Sequence, residues 1–259
     1  MKVQIIVAAH KEFPMPNDTE LYLPVLVGSA INRSKGIKYQ RDDDGDNISI
    51  KNPNYNELTA LYWAWKNLNA DVIGLVHYRR LFSVSSKRNL DSVLTKSQVE
   101  SLLKEAPIIL PKKRNYYIES NYSHYVHAHH KEPLDVTRKV IEERYPSYLQ
   151  SFGKIMKSKK AHMFNMLIMR NDFFSAYAEW LFSILFDVEQ RIDISGYSVQ
   201  EARVFGYLAE LLLDVWVTKN QYNYVEVNWI QLGKRNSGKK IYNFLVRKFM
   251  RRQNKRTHF

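Results

Sequence analysis

Val72-Ile73-Gly74-Leu75-Val76 is a short, unbroken apolar run that stops on His77-Tyr78-Arg79-Arg80. Five apolar residues with no polar alternation fit a strand covered on both faces, the environment of a parallel sheet. Such a strand ordinarily ends in turn residues, so two guanidiniums beside an imidazole are out of place unless they meet something anionic. Val3 to Ala9 is a second run of the same kind and delivers His10 and Lys11 at its end. Open α/β sheets bind ligands at the carboxyl ends of their strands. Ala8, His10, Lys11, His77 and Tyr78 are therefore candidate binding residues, and Arg79 and Arg80 candidate catalytic ones.

The remaining pattern supports that sheet. Glu57 to Leu68 places Leu58, Leu61, Tyr62, Trp65 and Leu68 on one helical face. Thr95 to Glu105 reads as a helix with Ser97 and Glu100 at capping-box spacing, and Pro107 to Pro111 as a short strand. Lys112 to His130 reads as an aromatic, histidine-rich loop. Helices are expected over Leu134–Arg144, Ser147–Met156 and Asp172–Arg191, and a buried strand over His162–Met169. Ser198 and Glu201 have capping-box spacing and are expected to open a helix running to Trp216. Strands alternating with helices predict an α/β fold, a mixed and mainly parallel Rossmann-type sheet flanked by helices.

Charge is unevenly spread. The 259 residues carry a formal +13, yet no acid follows Glu226, and ten Lys and Arg lie between Lys234 and Arg256. In Ile241 to Arg256 the apolar residues Ile241, Tyr242, Leu245, Val246, Phe249 and Met250 fall on one half of a helical wheel and the cations on the other. That basic amphipathic C-terminal helix suits an anionic membrane surface. The expected division is residues 1–228 as a catalytic domain and 229–259 as a membrane-associating tail. The N-terminal apolar run is too short to span a bilayer and has no cleavage-site pattern, and the chain has no Cys. Cytoplasmic residence, peripheral on the inner membrane face, is expected, and nucleic acid is not an expected partner.

Two chemistries can use the strand end. Adjacent arginine forks bind phosphate oxygens bidentately and stabilise a departing diphosphate. Alternatively they pair with surface acids. The run Asp42 to Asp46 has Asp-x-Asp spacings suited to Mg²⁺ or Mn²⁺. Acidic loops are more often simply solvated, and the metal ligands are left open among Asp44, Asp46 and His77. Asp46 and Asn47 suit a ribose or base. His124, His127, His129 and His130 have no partner carboxylate on a second segment and read as an acceptor-side loop, not a zinc site. Asp193, in a loop before Gly196, is a candidate general base. Arg203 and Glu210, two turns apart on one helix face, form an ion-pair row or face the site. No phosphate-cradling loop, dinucleotide fingerprint or nucleophile elbow is present.

Val7-Ala8-Ala9-His10-Lys11, Gly45-Asp46-Asn47-Ile48-Ser49 with Lys51-Asn52-Pro53, Glu57 to Asn67, and Gly74 to Arg80 together resemble the domain-of-unknown-function family four-four-two-two of bacterial capsule, exopolysaccharide and O-antigen clusters. Met163-Phe164-Asn165-Met166, Glu179 to Phe182, and Arg203 to Tyr207 with Glu210 extend the resemblance to about Val217. It implies a glycosyltransferase of GT-A type, some members of the family being galactofuranosyltransferases. It further implies a UDP-sugar donor, a lipid-linked saccharide acceptor, and Asn52, Thr59 and Asn165 among the binding residues. Many GT-A enzymes carry a metal-binding Asp-x-Asp where this chain has His77, Arg79 and Arg80, which suggests guanidinium charge in place of some or all of the metal's. Leu211 stands where the family pattern would have Arg. The rival readings are a non-catalytic membrane scaffold and a nucleic-acid-binding protein.

Overall fold

The computed structural model describes residues 1–32, 36–85 and 87–233. The amphipathic helix expected over Ile241–Arg256 lies outside them.

In chain order the strands are β1 (Val3–Ala9), β2 (Tyr22–Leu26), β3 (Gln40–Arg41), β4 (Val72–His77), β5 (Arg80–Phe82), β6 (Ile108–Pro111), β7 (Arg114–Asn115), β8 (Lys160–Ala161), β9 (Leu167–Arg170), β10 (Val225–Val227) and β11 (Trp229–Gln231). The helices are α1 (Asn52–Tyr55), α2 (Leu58–Asn67), α3 (Lys96–Glu105), α4 (Asn121–Ala128), α5 (Glu132–Arg144), α6 (Leu149–Lys157), α7 (Asn171–Arg191) and α8 (Val204–Asn220).

Among the described residues nine strands form one sheet with the order β10-β6-β9-β4-β1-β2-β3, with β5 and β11 attached beside β4. β1 pairs parallel with β2 and β4, β2 with β3, and β6 with β10, whereas β9 runs antiparallel to both β4 and β6. From β1 the chain moves outward to β2 and β3, then returns through α2 to β4 on the other side of β1. The strand order therefore reverses between β1 and β4, which opens a crevice at their carboxyl ends.

Alternation along β1 and β4 divides the core. Ile6, Ala8, Ile73 and Leu75 face a large layer of α2, α5, α6, α7 and α8, while Ile5, Val7, Val72 and Val76 face a thinner layer with α3, β5 and β11. Gly74 lies between Ile5 and Ile168 in register, and a Cβ there would stand 2.9 Å from Ile168 Cγ1. The sheet closes at that point because the side chain is missing.

Several expectations change. Trp229–Gln231 pairs antiparallel with β5, and Leu232 N–H donates to Arg79 O, so the folded body runs past the expected boundary at residue 228. The helix over residues 96–105 is capped by Thr95 and Gln98, two residues ahead of the expected Ser97 and Glu100. Ser198 and Glu201 do exchange bonds, but over an isolated turn, and α8 begins at Val204. The histidine loop contains α4, started by Ser120. The strand expected from His162 begins at Leu167, because Phe164 and Asn165 adopt left-handed backbone. No helix among the described residues is long and apolar enough to cross a membrane.

Candidate functional site

The His77-Tyr78-Arg79-Arg80 cluster is a tight hairpin. His77 pairs with Arg80 across it, and Tyr78 N–H donates to Ala8 O, tying the turn to the end of β1. Residues directly opposite in an antiparallel pair project to one face, so His77 and Arg80 point together while Tyr78 and Arg79 occupy the tip. Arg80 lies over Phe164, its guanidinium carbon 4.3 Å from the ring centroid. Arg79 turns elsewhere: its Nε donates to Leu232 O, and it packs beside Gly233. The expectation of two guanidiniums acting as one fork is replaced by an inward Arg80 and an outward Arg79.

The floor is the irregular segment before β9. Phe164 O meets His77 Nε2 at 2.6 Å, and Phe164 N–H donates to Glu210 Oε1 at 3.0 Å. Asn165 Nδ2 donates to Glu57 Oε1 at 2.7 Å and to Gly206 O at 3.1 Å. Arg203 Nε donates to Asn56 Oδ1 at 2.7 Å. Phe164, Asn165 and Asn56 all have positive φ (74°, 52° and 53°), a costly backbone for residues with a Cβ. Such conformations persist where surrounding bonds over-determine them, and they gather at functional sites. Gly206 lies close beneath Asn56, where a Cβ would stand 2.9 Å from Asn56 Nδ2 and push that amide aside.

Electrostatics follow from burial. The Phe164 carbonyl can only accept, so His77 Nε2 carries a proton. Burial holds the His77 pKa low, with Arg80 and Arg203 adding to the effect and Glu57 opposing it. Burial and the nearby Lys11 and Arg203 also lower His10. Glu210 is pushed up to about 8, first by burial and then by the like charge of Glu57, against the Phe164 N–H, Arg80 and Arg114. The site thus joins cations (Arg80, Arg203), a carboxylate (Glu57) and a carboxyl group that titrates near neutrality (Glu210). At its edge Tyr78 lies edge-on between His10 and Phe13, at centroid distances of 5.2 and 5.0 Å. Lys11 is exposed beside it.

The acidic run has a different place. Asp42 is buried and accepts from Gly28 N–H, Ser29 N–H, Ser49 Oγ and Thr59 Oγ1. Asn52 Nδ2 donates to Asn56 O and Thr59 Oγ1, so Asn52 and Thr59 support the strained Asn56 from behind. Asn47 donates to Asp43 O and Gly45 O and organises its own loop. Asp44 accepts from Gln40, and Asp46 accepts from Tyr62 while its N–H donates to Asn67. Asn67 ends α2 and Glu57 precedes it, so Asp46 stands about 15 Å along that helix from the hairpin. Asp44, Asp46 and His77 do not converge, and among the described residues no three His, Asp or Glu side chains could hold a metal. Asp193 is exposed and accepts the Ser195 N–H within its own loop. Glu57, Asn56 and Phe164 escaped sequence reasoning: Glu57 looks like any first-turn acid, and left-handed backbone leaves no mark on an Asn or Phe.

Among solved structures, WbbM, described as a bifunctional glycosyltransferase in its apo form, is similar to this chain at a TM-score of 0.84 and 32% identity. The match covers 90% of this chain and 46% of that one, so the chain spans about half the length of WbbM. No curated protein matches. The model of a family described as Domain of unknown function (DUF4422) matches residues 4–221, and the chain belongs to that family.

Proposed function

We propose that this protein is a glycosyltransferase taking its sugar from a nucleoside-diphosphate donor, a UDP-sugar first among them. The observation that carries the reading is the strand-order reversal between β1 and β4, at whose carboxyl ends Arg80 and Arg203 lie near His77 and Arg203 near His10. Similarity to WbbM supports it. The His10, Tyr78 and Phe13 rings offer a stacking surface for a base. Arg80, pressed on Phe164 and half-buried, is pre-organised to stabilise charge on a departing diphosphate.

Glu57 is the better-placed base for an acceptor hydroxyl, since Asn165 orients it and it faces His77 and Glu210. Asp193 serves the acceptor from its exposed loop. Mg²⁺ or Mn²⁺ would draw most of its ligands from donor phosphates and water. The acceptor is a lipid-linked saccharide of surface polysaccharide assembly, galactofuranose is one candidate sugar, and the basic tail holds the enzyme at the cytoplasmic membrane face.

Calorimetry with UDP-, GDP- and CMP-sugars, each with Mn²⁺ and with EDTA, tests the first step. Saturable binding of one donor class, weakened by Arg80→Ala, supports the reading. Failure of every nucleotide sugar to bind sinks it, and binding of nucleic acid with steep salt dependence would replace it.

A further inference from the structure

Flanking the site, where Tyr116 bonds Met163 beside Phe164, the link between β7 and α4 exposes apolar side chains in a way that burial does not explain. Tyr117 is 76% exposed and Ile118 54%. Tyr117 has φ 58°, and Ile118 N–H donates to Tyr116 O across it at 2.6 Å, closing a three-residue turn of the rare, strained hand. Asn115 Oδ1 accepts the Tyr117 N–H at 2.8 Å and braces the turn. Tyr116 N–H donates to Lys159 O and Asn121 N–H to Ser158 O, so the knuckle is fastened to the segment after α6. The structure thus holds a Tyr and an Ile outward on a fixed backbone.

Cations surround the knuckle. Arg114, Lys157, Lys159 and Lys160 are exposed there, Arg114 and Lys160 on the adjoining β7–β8 ribbon. The neighbouring acids are already engaged: buried Glu119 accepts from His124 and His127, and Asp135 pairs with Lys131. Beside the knuckle a groove of about 510 Å³ opens, floored by Leu134, Phe152 and Met156 and edged by Tyr122 and Lys157.

We propose that this face docks on an anionic phospholipid bilayer, with Tyr117 and Ile118 entering the interfacial layer, the lysines meeting lipid phosphates, and the groove receiving one acyl chain. Charge complementarity selects the partner. A protein surface would have to supply acids around an apolar centre, whereas an anionic bilayer presents phosphate above hydrocarbon everywhere, which is the order of groups found here. This contact is made by the folded body. It is independent of the glycosyltransferase reading, because vesicle binding needs no donor.

The test uses the full chain and sedimentation with phosphatidylcholine vesicles, with and without phosphatidylglycerol. Binding is expected only with the anionic lipid. It should weaken about tenfold in Tyr117→Ser with Ile118→Ser, and about a hundredfold in Lys157→Ser with Lys159→Ser and Lys160→Ser, each exposed lysine being worth about fivefold. Because the chain has no Cys, Ile118→Cys and Ile50→Cys can each carry one polarity-sensitive dye, Ile50 being a 63% exposed control on the turn before α1. A blue shift on vesicle binding at residue 118 and none at residue 50 supports the docking face. Unchanged partitioning of both sets of variants, no binding of the unaltered chain, or no shift at residue 118 overturns it.

Discussion

Asp42 and Glu210 are both buried acidic side chains, and the protein treats them in opposite ways. Asp42, at the outer edge of the sheet, receives two backbone N–H groups and two hydroxyls. Glu210, beneath the hairpin, receives the Phe164 N–H, faces the like charge of Glu57, and has Arg80 and Arg114 within electrostatic reach. A buried carboxyl group ringed by donors locks a scaffold. One set beside a second carboxylate and half-compensated by cations stays able to change its charge, which chemistry can use and stability alone would not select.

The contrast can be broken most sharply at Asp42. Asp42→Ala orphans four donors and should destabilise by at least about 3 kcal/mol, read by chemical denaturation; a loss under 1 kcal/mol would mean that water replaces the carboxylate. Arg80→Ala should cost about 10²–10³ in kcat/KM with little change in denaturation midpoint. The reverse pattern, intact turnover in an unstable protein, would make Arg80 scaffold.

Glu210→Gln sharpens the comparison through pH. A carboxyl group raised from 4.5 to about 8 binds more protons folded than unfolded, so its contribution is fully present below pH 4.5 and is lost as pH rises through 8. The Gln variant should flatten the fall in stability across that window, by about 1.4 kcal/mol for each pH unit over which the proton difference is removed. Parallel profiles for the two proteins would show that Glu210 is ionised throughout. Gly206→Ala should push Asn56 and Arg203 out of place and raise the donor KM several-fold, leaving kcat nearly untouched. The smallest effect is expected from Asp193→Asn, within about threefold, whereas Glu57→Gln should lose about 10²-fold or more. If Asp193→Asn proves the more damaging, the base lies on the loop.

Much of this was open to reading along the chain. An unbroken apolar run admits few environments, so β1 and β4 and the crevice at their ends followed from Val3–Ala9 and Val72–Val76. The apolar stripe of Glu57–Leu68 likewise foretold α2. Within the run of acids Asp46 reads as a ligand-binding residue and Asp42 has no assigned role, yet Asp42 is buried and bonded by four donors while Asp46 lies in an exposed loop at the far end of α2. Spacing reports which face a residue occupies, not the direction of a neighbouring chain. The antiparallel β9 and the pairing of Trp229–Gln231 with β5 were hidden for that reason.

The sequence by itself determined that His77 and Arg80 stand at a strand end in an α/β sheet, because hydrophobic periodicity is a local property. Only the tertiary structure decided what they meet. Glu57 is distant in the chain from Asn165 and Glu210, and Arg203 from Asn56; packing α2 and α8 against one end of the sheet brings them together. The charge state of Glu210 follows from that juxtaposition, since a pKa depends on burial and neighbouring charge, neither of which a residue carries alone.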